Sequence, residues 1–465
     1  MESEQPAFTS GYDEDRDTAG SLRPGYAEAF RVLAGTDLED LCRGVAQQLE
    51  RRGVSFGAEP FVVDPVPRLI CAAEWDPLAE GLAQRARALN RFLIDAYGER
   101  QIVQSGAMPA AMIEEAMGYE PDLVGCLPQN GSPAGVIGFD VVRDPDGDFL
   151  VLEDNLRTPS GFAYALAARE ALNGALPHGF PEPRPVDPIA YELLEGAMRA
   201  AAPRACNDPS VVVLTDGPAN VAYYEHAQSA GRLGAALATI ADLERDGERL
   251  RVRLPSGETR PVDVVYRRTN EDRVRDEHGD LTDVAQALLR PWLAGQIGLV
   301  NAFGNGMADD KLVHGCVEDC IRFYLDEEPL VRSVPTDTVS TPAEQRLTIG
   351  DLRELVIKPR HGSGGQGVVI GAHADADDLD RLARELEAQP DRYVIQPIVA
   401  LSRHPTVCDG RLEPRHIDLR AFAFAFSGDG VGLLPGGLTR VALDACTLVV
   451  NSSQHGGGKD TWVLD

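Results

Sequence analysis

One segment of the sequence combines a lysine with a glycine-rich loop, a pairing that can hold phosphate. It reads "LVIKPRHGSGGQG", and Lys358 precedes the loop residues Gly362, Ser363, Gly364, Gly365, Gln366 and Gly367. Backbone N–H groups in such a loop can close on a phosphate because no side chains obstruct them, and a lysine adds a point charge. The segment matches neither the Walker pattern nor the dinucleotide-binding pattern. A glycine hairpin beside a surface lysine therefore explains it equally well when it is considered alone.

A second apolar segment follows at a spacing that suits a nucleotide hinge. "YVIQPIV" begins at Tyr393, after a predicted helix that covers residues 377–389. A strand in this position can present its backbone groups to the edge of an adenine ring, and Gln396 would supply the polar side chain. An ordinary strand glutamine is the alternative interpretation of Gln396.

The candidate metal ligands lie in the segment "FDVVRDPDGDFLVLEDN". Its alternation, with turn chemistry at Asp146 and Gly147, predicts a β-hairpin. Alternate residues of a strand point to one face, so Glu153 and Asn155 project together, and the hairpin brings Asp140 beside them. Magnesium nucleotides need such hard oxygen ligands. A hairpin edge that merely carries acidic side chains is the alternative.

The elements that must position these residues follow from apolar periodicity. Helical spacing runs over 27–56 and 74–99, and "PSVVVLTDGPANVAYYEHAQSAGRLGAALATIADL" reads as strand, loop, helix and strand. "VDVVYRR" continues a parallel sheet, whereas the segment from "RAFAFAF" to "LVVN" reads as antiparallel strands. The fold class is therefore α/β with α+β lobes, and 465 residues predict about two to four lobes around one site.

Composition excludes several classes of function. Forty-four basic and 73 acidic residues give a net charge of −29, which repels polyphosphate backbones and argues against nucleic acid as a partner. The eight cysteines are scattered; Cys316 and Cys320 have helical spacing and are interpreted as packing residues. The sequence has no apolar run of membrane-spanning length and no basic-then-apolar leader, so we expect a cytoplasmic protein with no membrane partner.

The order of the motifs resembles a known family. "LVIKPRHGSGGQGV", "YVIQPIV", "HIDLRAFAF" and "TRVALDACTLVVNSSQHGGG" resemble, in order, the nucleotide-binding half of the ATP-grasp ligases. In ordinary members the metal-binding hairpin follows these segments, whereas here it precedes them, at 140–155. Together with "YDED", "VLEDNLRTPSGFAYALAAR", "VDVVYRR" and "NAFGNGMADDK", this order resembles the circularly permuted ATP-grasp family over nearly the whole chain from about Gly11.

The resemblance implies a circularly permuted ATP-grasp fold that holds the nucleotide between two lobes, with a helical N-terminal region. The implied divisions are a flexible arm (1–26), the helical N-terminal region (27–130), the metal-binding hairpin segment (131–170), an α/β substrate domain (205–305) and the nucleotide-binding lobes (306–465).

The resemblance also implies roles for the nucleotide-binding residues. Lys311, in "ADDKL", resembles the first ATP lysine, which reaches the α- and β-phosphates, and Lys358 resembles the second. The adenine hinge would comprise Gln396, Pro397, Ile398 and Val399, with Pro397 standing where ordinary members frequently have a glutamate.

The metal and reaction residues are implied in the same way. Asp140, Glu153 and Asn155 resemble the ligands of two Mg²⁺ ions, for which Mn²⁺ could substitute. Arg420 and Arg440 match arginines that face the transferred phosphate or the acyl phosphate. Asn451 and the glycines at 456–458 match an element beside nucleotide and acceptor, and Arg157 is a candidate to hold an incoming carboxylate bidentately.

The implied reaction has two steps: a carboxylate attacks the γ-phosphoryl of ATP to form an acyl phosphate, and an amine then displaces phosphate. The partners would be a small-molecule or peptide carboxylate and an amine. The sequence leaves open whether the protein forms a homodimer. A phosphotransferase without amide formation and a non-catalytic regulatory subunit are the alternatives. The second requires a damaged metal site, whereas the three ligands and both lysines are intact.

The reaction makes a spatial prediction. Metal ions must bridge the phosphates that Lys358 and the glycine loop hold, so Glu153 and Lys358, although distant in sequence, should face one cleft. We expect the carboxylates and the lysines within about 10 Å of one another.

Overall fold

The computed structural model describes residues 11–127, 132–204, 206, 208–338, 349–360, 367–442 and 456–465. The described helices, in chain order, are α1 (Pro24–Leu33), α2 (Leu38–Arg51), α3 (Ala72–Ala96), α4 (Gln101–Gln104), α5 (Ala110–Glu114), α6 (Phe162–Ala175), α7 (Ile189–Ala201), α8 (Tyr223–Leu233), α9 (Asp283–Leu293), α10 (Lys311–Gly315), α11 (Val317–Leu325), α12 (Ile349–Leu352) and α13 (Ala376–Ala388).

The described strands of the first half are β1 (Ser55–Phe56), β2 (Glu59–Pro60), β3 (Arg68–Cys71), β4 (Val136–Arg143), β5 (Phe149–Asn155), β6 (Val211–Thr215), β7 (Ala236–Ala238), β8 (Leu243–Asp246), β9 (Arg249–Arg253), β10 (Thr259–Val262) and β11 (Val264–Arg268). Those of the second half are β12 (Gly298–Val300), β13 (Arg332–Ser333), β14 (Asp337–Thr338), β15 (Leu355–Pro359), β16 (Val369–Ile370), β17 (Tyr393–Pro397), β18 (Arg403–Cys408), β19 (Arg411–Ala425), β20 (Val431–Val441) and β21 (Gly457–Leu464).

An eight-stranded sheet forms the centre of the molecule. Its strand order is β13–β5–β4–β19–β20–β21–β3, and β18 pairs with β19. The pairs from β5 to β21 are antiparallel. The predicted hairpin is β4 and β5, and it packs edge to edge with β19 from the far end of the sequence. One continuous sheet thus brings together motifs that are far apart in the permuted sequence.

A second sheet is parallel, as the strand–loop–helix pattern predicts. It has the order β12–β11–β6–β7, with every neighbour pair parallel. Val212, Val213, Val264 and Val265 on its strands are fully buried, which is typical of a parallel sheet covered on both faces. The carboxyl ends of β6, β11 and β12 lie at one edge, and this edge faces the loop that follows β5.

A smaller lobe has a core of its own. The sheet β14–β17–β15–β16 is antiparallel and packs against α12 and α13 through the buried residues Leu352, Ile357, Leu379, Leu382, Leu386 and Ile395. Helix α13 begins after Asp375, whose side chain accepts a hydrogen bond from the backbone N–H of Asp378, and such capping stabilises a helix N-terminus. This lobe carries Lys358 and the predicted hinge.

Two predicted divisions differ from the structure. Residues 11–26 are not a loose arm, because Glu14 is buried and its carboxylate lies 2.5 Å from the Arg68 guanidinium. The region predicted as helical also contributes β3, which pairs with β21 in the central sheet. Both differences arise from pairing with distant parts of the chain. No helix in the described part of the chain has the length and apolar character needed to cross a bilayer.

Candidate active site

The hairpin of β4 and β5 places the three predicted metal ligands together. Asp140 lies opposite Glu153 in the strand register, and Gly138 lies opposite Asn155. Asp140 is buried, whereas Glu153 and Asn155 are half-buried. The hairpin therefore presents one enclosed carboxylate and two more accessible polar side chains at the same end of the sheet.

The two predicted ATP lysines approach this hairpin from different elements. Lys311 is the first residue of α10, after Asp310, whose side chain accepts a hydrogen bond from the N–H of Leu312. Its Nζ lies 3.4 Å from Oε1 of Glu153. Lys358 lies on β15 of the small lobe. Burial lowers the pKa of Lys358 to about 8, with Lys311 acting in the same direction and Glu153 and Asp140 opposing the shift.

Lys358 lies near the charged residues of the hairpin. Both hairpin carboxylates and Lys311 affect the pKa of Lys358, so charged groups of the small lobe and of the central sheet are close enough to interact. The predicted proximity of Glu153 to the lysines is confirmed at Lys311, where the two side chains make an ion pair.

Two arginines from the neighbouring strands hold Asp140. Arg420 lies opposite Asp140 in the register of β19 and β4, and its Nε and Nη2 each donate to the carboxylate at 2.7 Å. Arg440 Nη2 lies 2.9 Å from the same carboxylate and also bonds Asp418 at 2.5 Å. Burial alone would raise the pKa of Asp140, but Arg420 and Arg440 outweigh it and lower the pKa to about 2. Asp140 is therefore ionised across the physiological range.

The donor set suits Mg²⁺, with one qualification about Asp140. Glu153 offers a carboxylate, and Asn155 offers its amide oxygen, the atom of that side chain that can bind a metal; its Nδ2 is buried without a hydrogen-bond partner among the described residues. The carboxylate of Asp140, by contrast, already accepts hydrogen bonds from two arginines. Mg²⁺ usually needs only one or two carboxylates because phosphate oxygens and water complete its shell. The part of the chain that the structure describes holds no cluster of three or more His, Cys, Asp or Glu side chains arranged for a metal.

Asp154, between the two half-buried candidates, belongs to a separate buried network. Arg85 on α3 donates to it through Nε at 2.6 Å and Nη2 at 2.7 Å, and His314 Nδ1 lies 2.7 Å away. Burial would raise the pKa of Asp154, but Arg85 and His314 hold it well below its usual range. Because His314 and Lys311 share α10, this network fixes the helix that begins at Lys311 to β5.

Sequence reasoning predicted that Asp154 points away from Glu153 and Asn155 but missed its partners. Arg85 lies on the apolar face of α3, between Leu82 and Leu89, and His314 follows Lys311 by three residues. An i, i+3 pair on one helical face was the available signal, but it did not reveal the residue on the other side of the contact.

The predicted adenine hinge makes hydrogen bonds within the small lobe. Gln396 is buried, and its Nε2 donates to Oγ1 of Thr336 at 2.7 Å. The N–H of Ile398 donates to the carbonyl of Glu354 at 3.2 Å. Pro397 is exposed, and Val399 packs against the cluster around Val142. The Gln396 side chain thus supports the hinge internally.

Arg157 follows β5 and is flanked by two carboxylates. Its Nε donates to Asp309 at 3.0 Å, and its Nη1 lies 3.6 Å from Asp272. Asp309 also accepts from the backbone N–H of Leu156. Burial raises the pKa of Asp309 to about 6, and Arg157 opposes this shift. Since Nε is already used, bidentate binding of a carboxylate by Arg157 would have to use its two Nη atoms.

The remaining predicted residues lie around the edge of the described part. Gly362, Ser363, Gly364, Gly365, Gln366 and Asn451 lie outside the described residues. Gly367 has φ +73°, a conformation that glycine adopts without strain. Gly458, from the glycines at 456–458, lies opposite Arg440 in the register of β20 and β21.

Comparison with known proteins agrees with this architecture. The sequence model of the family described as "Circularly permuted ATP-grasp type 2" matches residues 67–442. A Frankia alni protein named "Putative glutamate--cysteine ligase 2-3" is 41% identical over 100% of this chain and 54% of its own length. This chain thus spans about half the length of that relative.

Other relatives are matched over most of their length. "Uncharacterized protein Rv2411c" from Mycobacterium tuberculosis is 40% identical over 98% of this chain and 84% of that protein. "Uncharacterized protein sll0335" from Synechocystis is 41% identical over 87% of this chain and 84% of that protein.

A solved structure supports the fold alone. The apo form of GSS30, a glutathione synthetase-like effector from Globodera pallida, superposes with a TM-score of 0.54 at 12% identity, over 92% of this chain and 98% of that chain. From the family match and the relatives together, we conclude that this chain belongs to the circularly permuted ATP-grasp type 2 family.

Proposed function

We propose that this protein is an ATP-dependent ligase that joins a carboxylate to an amine through an acyl phosphate. A carboxylate oxygen attacks the γ-phosphorus of ATP, and the bond between that phosphorus and the bridging oxygen breaks to release ADP. The amine nitrogen then attacks the acyl carbon, the bond from that carbon to the phosphate oxygen breaks, and the amine loses a proton. The products are an amide, ADP and phosphate.

The observation that carries the proposal is the convergence of four cations on one acidic hairpin. Lys311 and Lys358 come from two different lobes, and Arg420 and Arg440 come from the neighbouring strands. Both chemical steps develop negative charge on phosphoryl or acyl oxygens. Fixed positive groups in an enclosed site stabilise such charge without reorganisation during the reaction.

The pairing of Arg420 and Arg440 with Asp140 suits this role. A bidentate carboxylate contact fixes the plane of a guanidinium, so Asp140 holds Arg420 in one orientation. Arg440 is shared between Asp140 and Asp418 and is fixed in the same way. In this proposal Asp140 acts at least partly through the two arginines, whose remaining N–H groups are directed at the reacting phosphoryl group.

A divalent metal would be held by Glu153 and Asn155, with Asp140, the third predicted ligand, opposite Glu153 in the strand register. When bound, Mg²⁺ would neutralise phosphate charge and orient the β- and γ-phosphates. The protein's own contribution is the ion pair of Glu153 with Lys311, which places a cation and a metal-binding carboxylate side by side for the same polyphosphate.

The name of the Frankia relative suggests test substrates. It describes a glutamate–cysteine ligase, but this chain spans only 54% of that protein, so the named activity can belong to its other half. Glutamate and cysteine therefore enter a substrate panel together with other carboxylates and amines.

The ligase proposal is tested by product formation with purified protein, ATP and Mg²⁺. Each carboxylate is supplied with hydroxylamine in place of the amine. We expect at least one carboxylate to give a hydroxamate in a 1:1 ratio with ADP. ADP release that never incorporates hydroxylamine or an amine would instead identify a phosphotransferase, and absence of any ADP release across the panel would support a regulatory role.

A further inference from the structure

The edge of the parallel sheet that faces the metal-binding strand carries a second set of charged residues. Arg267 and Arg268 are the last residues of β11, and ligands of open α/β sheets bind outside the carboxyl ends of the strands. The loop between β5 and α6 closes over this edge, since Arg268 Nη1 donates to the carbonyl of Pro159 at 2.9 Å. The edge is therefore in contact with the active-site side of the molecule.

The two adjacent arginines differ in what they bind. Arg268 donates to Ser160 at 2.6 Å and pairs with Glu225 at 2.9 Å. Glu225 in turn accepts from the backbone N–H groups of Gly161 and Ala163, so its carboxylate stabilises the start of α6. Arg268 is thus part of the framework that joins the parallel sheet to the loop after β5.

Within the described residues, Arg267 has no anionic partner comparable to Glu225. Its guanidinium carbon lies 4.2 Å from the centre of the Phe303 ring, and Nη2 makes one long hydrogen bond, 3.4 Å, to the carbonyl of Asp272. The side chain is 3% exposed, and Nε and Nη1 have no hydrogen-bond partner within the described ranges. Burying such donors unpaired is costly, and the burial lowers the pKa of Arg267 to about 10.

A carboxylate lies beside Arg267 with unused hydrogen-bonding capacity. Among the described residues no donor bonds the side chain of Asp272, and its nearest cation is Arg157, at 3.6 Å. The side chains of Arg157 and Asp272 remain 33% and 14% exposed, so this side of the cluster is open to approach. Arg157 lies two residues after Asn155, so the exposed side of this cluster is near the end of β5.

The charge of the cluster indicates what kind of ligand fits. Arg157 and Arg267 supply two positive charges, and Asp272 and Asp309 supply two negative charges. A dianion would meet an acid as well as a base here, whereas a zwitterion would satisfy both the Arg267 donors and the Asp272 acceptor.

We propose that Arg267 and Asp272 bind the α-carboxylate and the α-ammonium of an amino-acid substrate. The side chain of this amino acid then extends past Arg157 toward Glu153 and Asn155, so the reacting group is on the side chain. This inference rests on the proposed ligase function for the identity of the reaction but not for binding itself.

Binding is measured by calorimetry after a thermal-shift screen of the common L-amino acids with the full chain. We expect at least one to bind. Its α-amide and its N-acetyl derivative, which each remove one charge, should bind the unaltered protein at least about tenfold more weakly, the loss expected for one charge-assisted contact. Because these comparisons use the unaltered protein, they do not depend on how a variant folds.

Variants then assign the contacts. Arg267→Gln and Asp272→Asn should each weaken the same amino acid about tenfold to a hundredfold, whereas Arg275→Gln should not; Arg275 is a matched surface arginine that pairs with Asp122. The Arg267→Gln variant should also bind the α-amide about as tightly as the parent amino acid. The Asp272→Asn variant should bind the N-acetyl form about as tightly as the parent amino acid.

Two results would overturn the inference: no free amino acid binds, or the blocked derivatives bind as tightly as the parent. The outcome is distinct from that of the ligase test. Amino-acid binding without any ADP release would contradict the ligase proposal but support this binding site. Hydroxamate formation from carboxylates without any amino-acid binding would support the ligase proposal but contradict this binding site.

Discussion

The two faces of the β4–β5 hairpin carry adjacent acidic residues with opposite degrees of hydrogen bonding. On one face, Glu153 is half-buried and its described partner is Lys311 at 3.4 Å, and the Asn155 amide nitrogen has no partner within the described residues. On the other face, Asp154 is buried and bonded by Arg85 and His314 at 2.6–2.7 Å.

This difference separates positioning from function within three consecutive residues. A fully bonded buried carboxylate fixes the strand and has no capacity left for a ligand. Lightly bonded groups beside it are held at a fixed position, and in the proposed site their oxygens remain available to a metal. The Asp154 carboxylate depends on buried donors, and losing one side of a buried ion pair leaves an uncompensated charge, so the network behind Asp154 is the part that a substitution should damage most.

The largest expected effect is on stability and comes from the fully bonded face. Arg85→Met leaves Asp154 buried with His314 as its one remaining side-chain donor among the described residues, and breaking a buried ion pair on one side costs about 3–5 kcal/mol. We expect a clear fall in the thermal unfolding midpoint. Arg87→Met is the matched control, because Arg87 lies on the same helix and makes a partly exposed contact with Glu327, for which about 1 kcal/mol or less is expected. Equal effects of the two substitutions would contradict the comparison.

The next largest effect is on nucleotide binding and comes from the two lysines near the lightly bonded face. Lys311→Ala and Lys358→Ala each remove a charge-assisted contact to phosphate, worth about 1.5–3 kcal/mol, and should weaken ATP binding about tenfold to a hundredfold. Calorimetry with MgATP measures this. Arg381→Ala, at an exposed pair with Asp378 in the same lobe as Lys358, should leave ATP affinity unchanged. If both lysine variants bound ATP as the parent does, the nucleotide site would lie elsewhere.

Asp140→Asn should affect turnover more than binding. The substitution removes the charge that holds Arg420 and part of the charge that holds Arg440, so the two guanidinium groups lose their fixed orientation toward the reacting phosphoryl group. We expect kcat to fall about tenfold or more with a smaller change in the KM for ATP, since interactions made only in the transition state act on kcat. A rise in KM alone would show that Asp140 serves mainly in substrate binding.

The smallest effect is a pH dependence of ATP binding. The pKa of Lys358 in the free protein is about 8, and the protonated form is the one that attracts phosphate. Affinity should therefore be constant below this pKa and weaken as the pH rises above it, by up to about tenfold per pH unit, until the pKa of the nucleotide-bound state is passed. Lys358→Arg should remove the dependence in this range, because arginine stays charged. An unchanged pH profile in that variant would assign the titration to another group.

The sequence predicted which residues of the candidate site lie together better than it predicted the contacts that position them. The hairpin at 140–155 was predictable because alternation and turn chemistry are local signals, and a strand places Glu153 and Asn155 on one face whatever surrounds it. The approach of Lys311 to Glu153 followed from the order of motifs and from the geometry that a metal-bound polyphosphate requires.

The rest depended on contacts between distant residues that leave no local pattern. Arg85 occupies an apolar position in the periodicity of α3 and is fully buried against Asp154, but helical periodicity does not show which distant residue it contacts. Glu14 lies in a polar N-terminal segment that resembles a loose arm, yet it forms a buried pair with Arg68. The two members of each ion pair are far apart in the sequence, so neither pair was predicted.

The central claim is that the permuted hairpin and the lysines of the two lobes form one magnesium–nucleotide site, and the most direct test is the Mg²⁺ dependence of ATP affinity. Calorimetric titration of ATP with and without Mg²⁺ is compared for the parent protein, Glu153→Gln and Asp146→Asn, the last being an exposed acid in the turn of the same hairpin. We predict that Mg²⁺ strengthens ATP binding in the parent protein and in Asp146→Asn, and that Glu153→Gln loses most of this gain while its unfolding temperature is little changed. If Glu153→Gln retained the full Mg²⁺ gain, the hairpin would not be part of the nucleotide site and the account would be wrong.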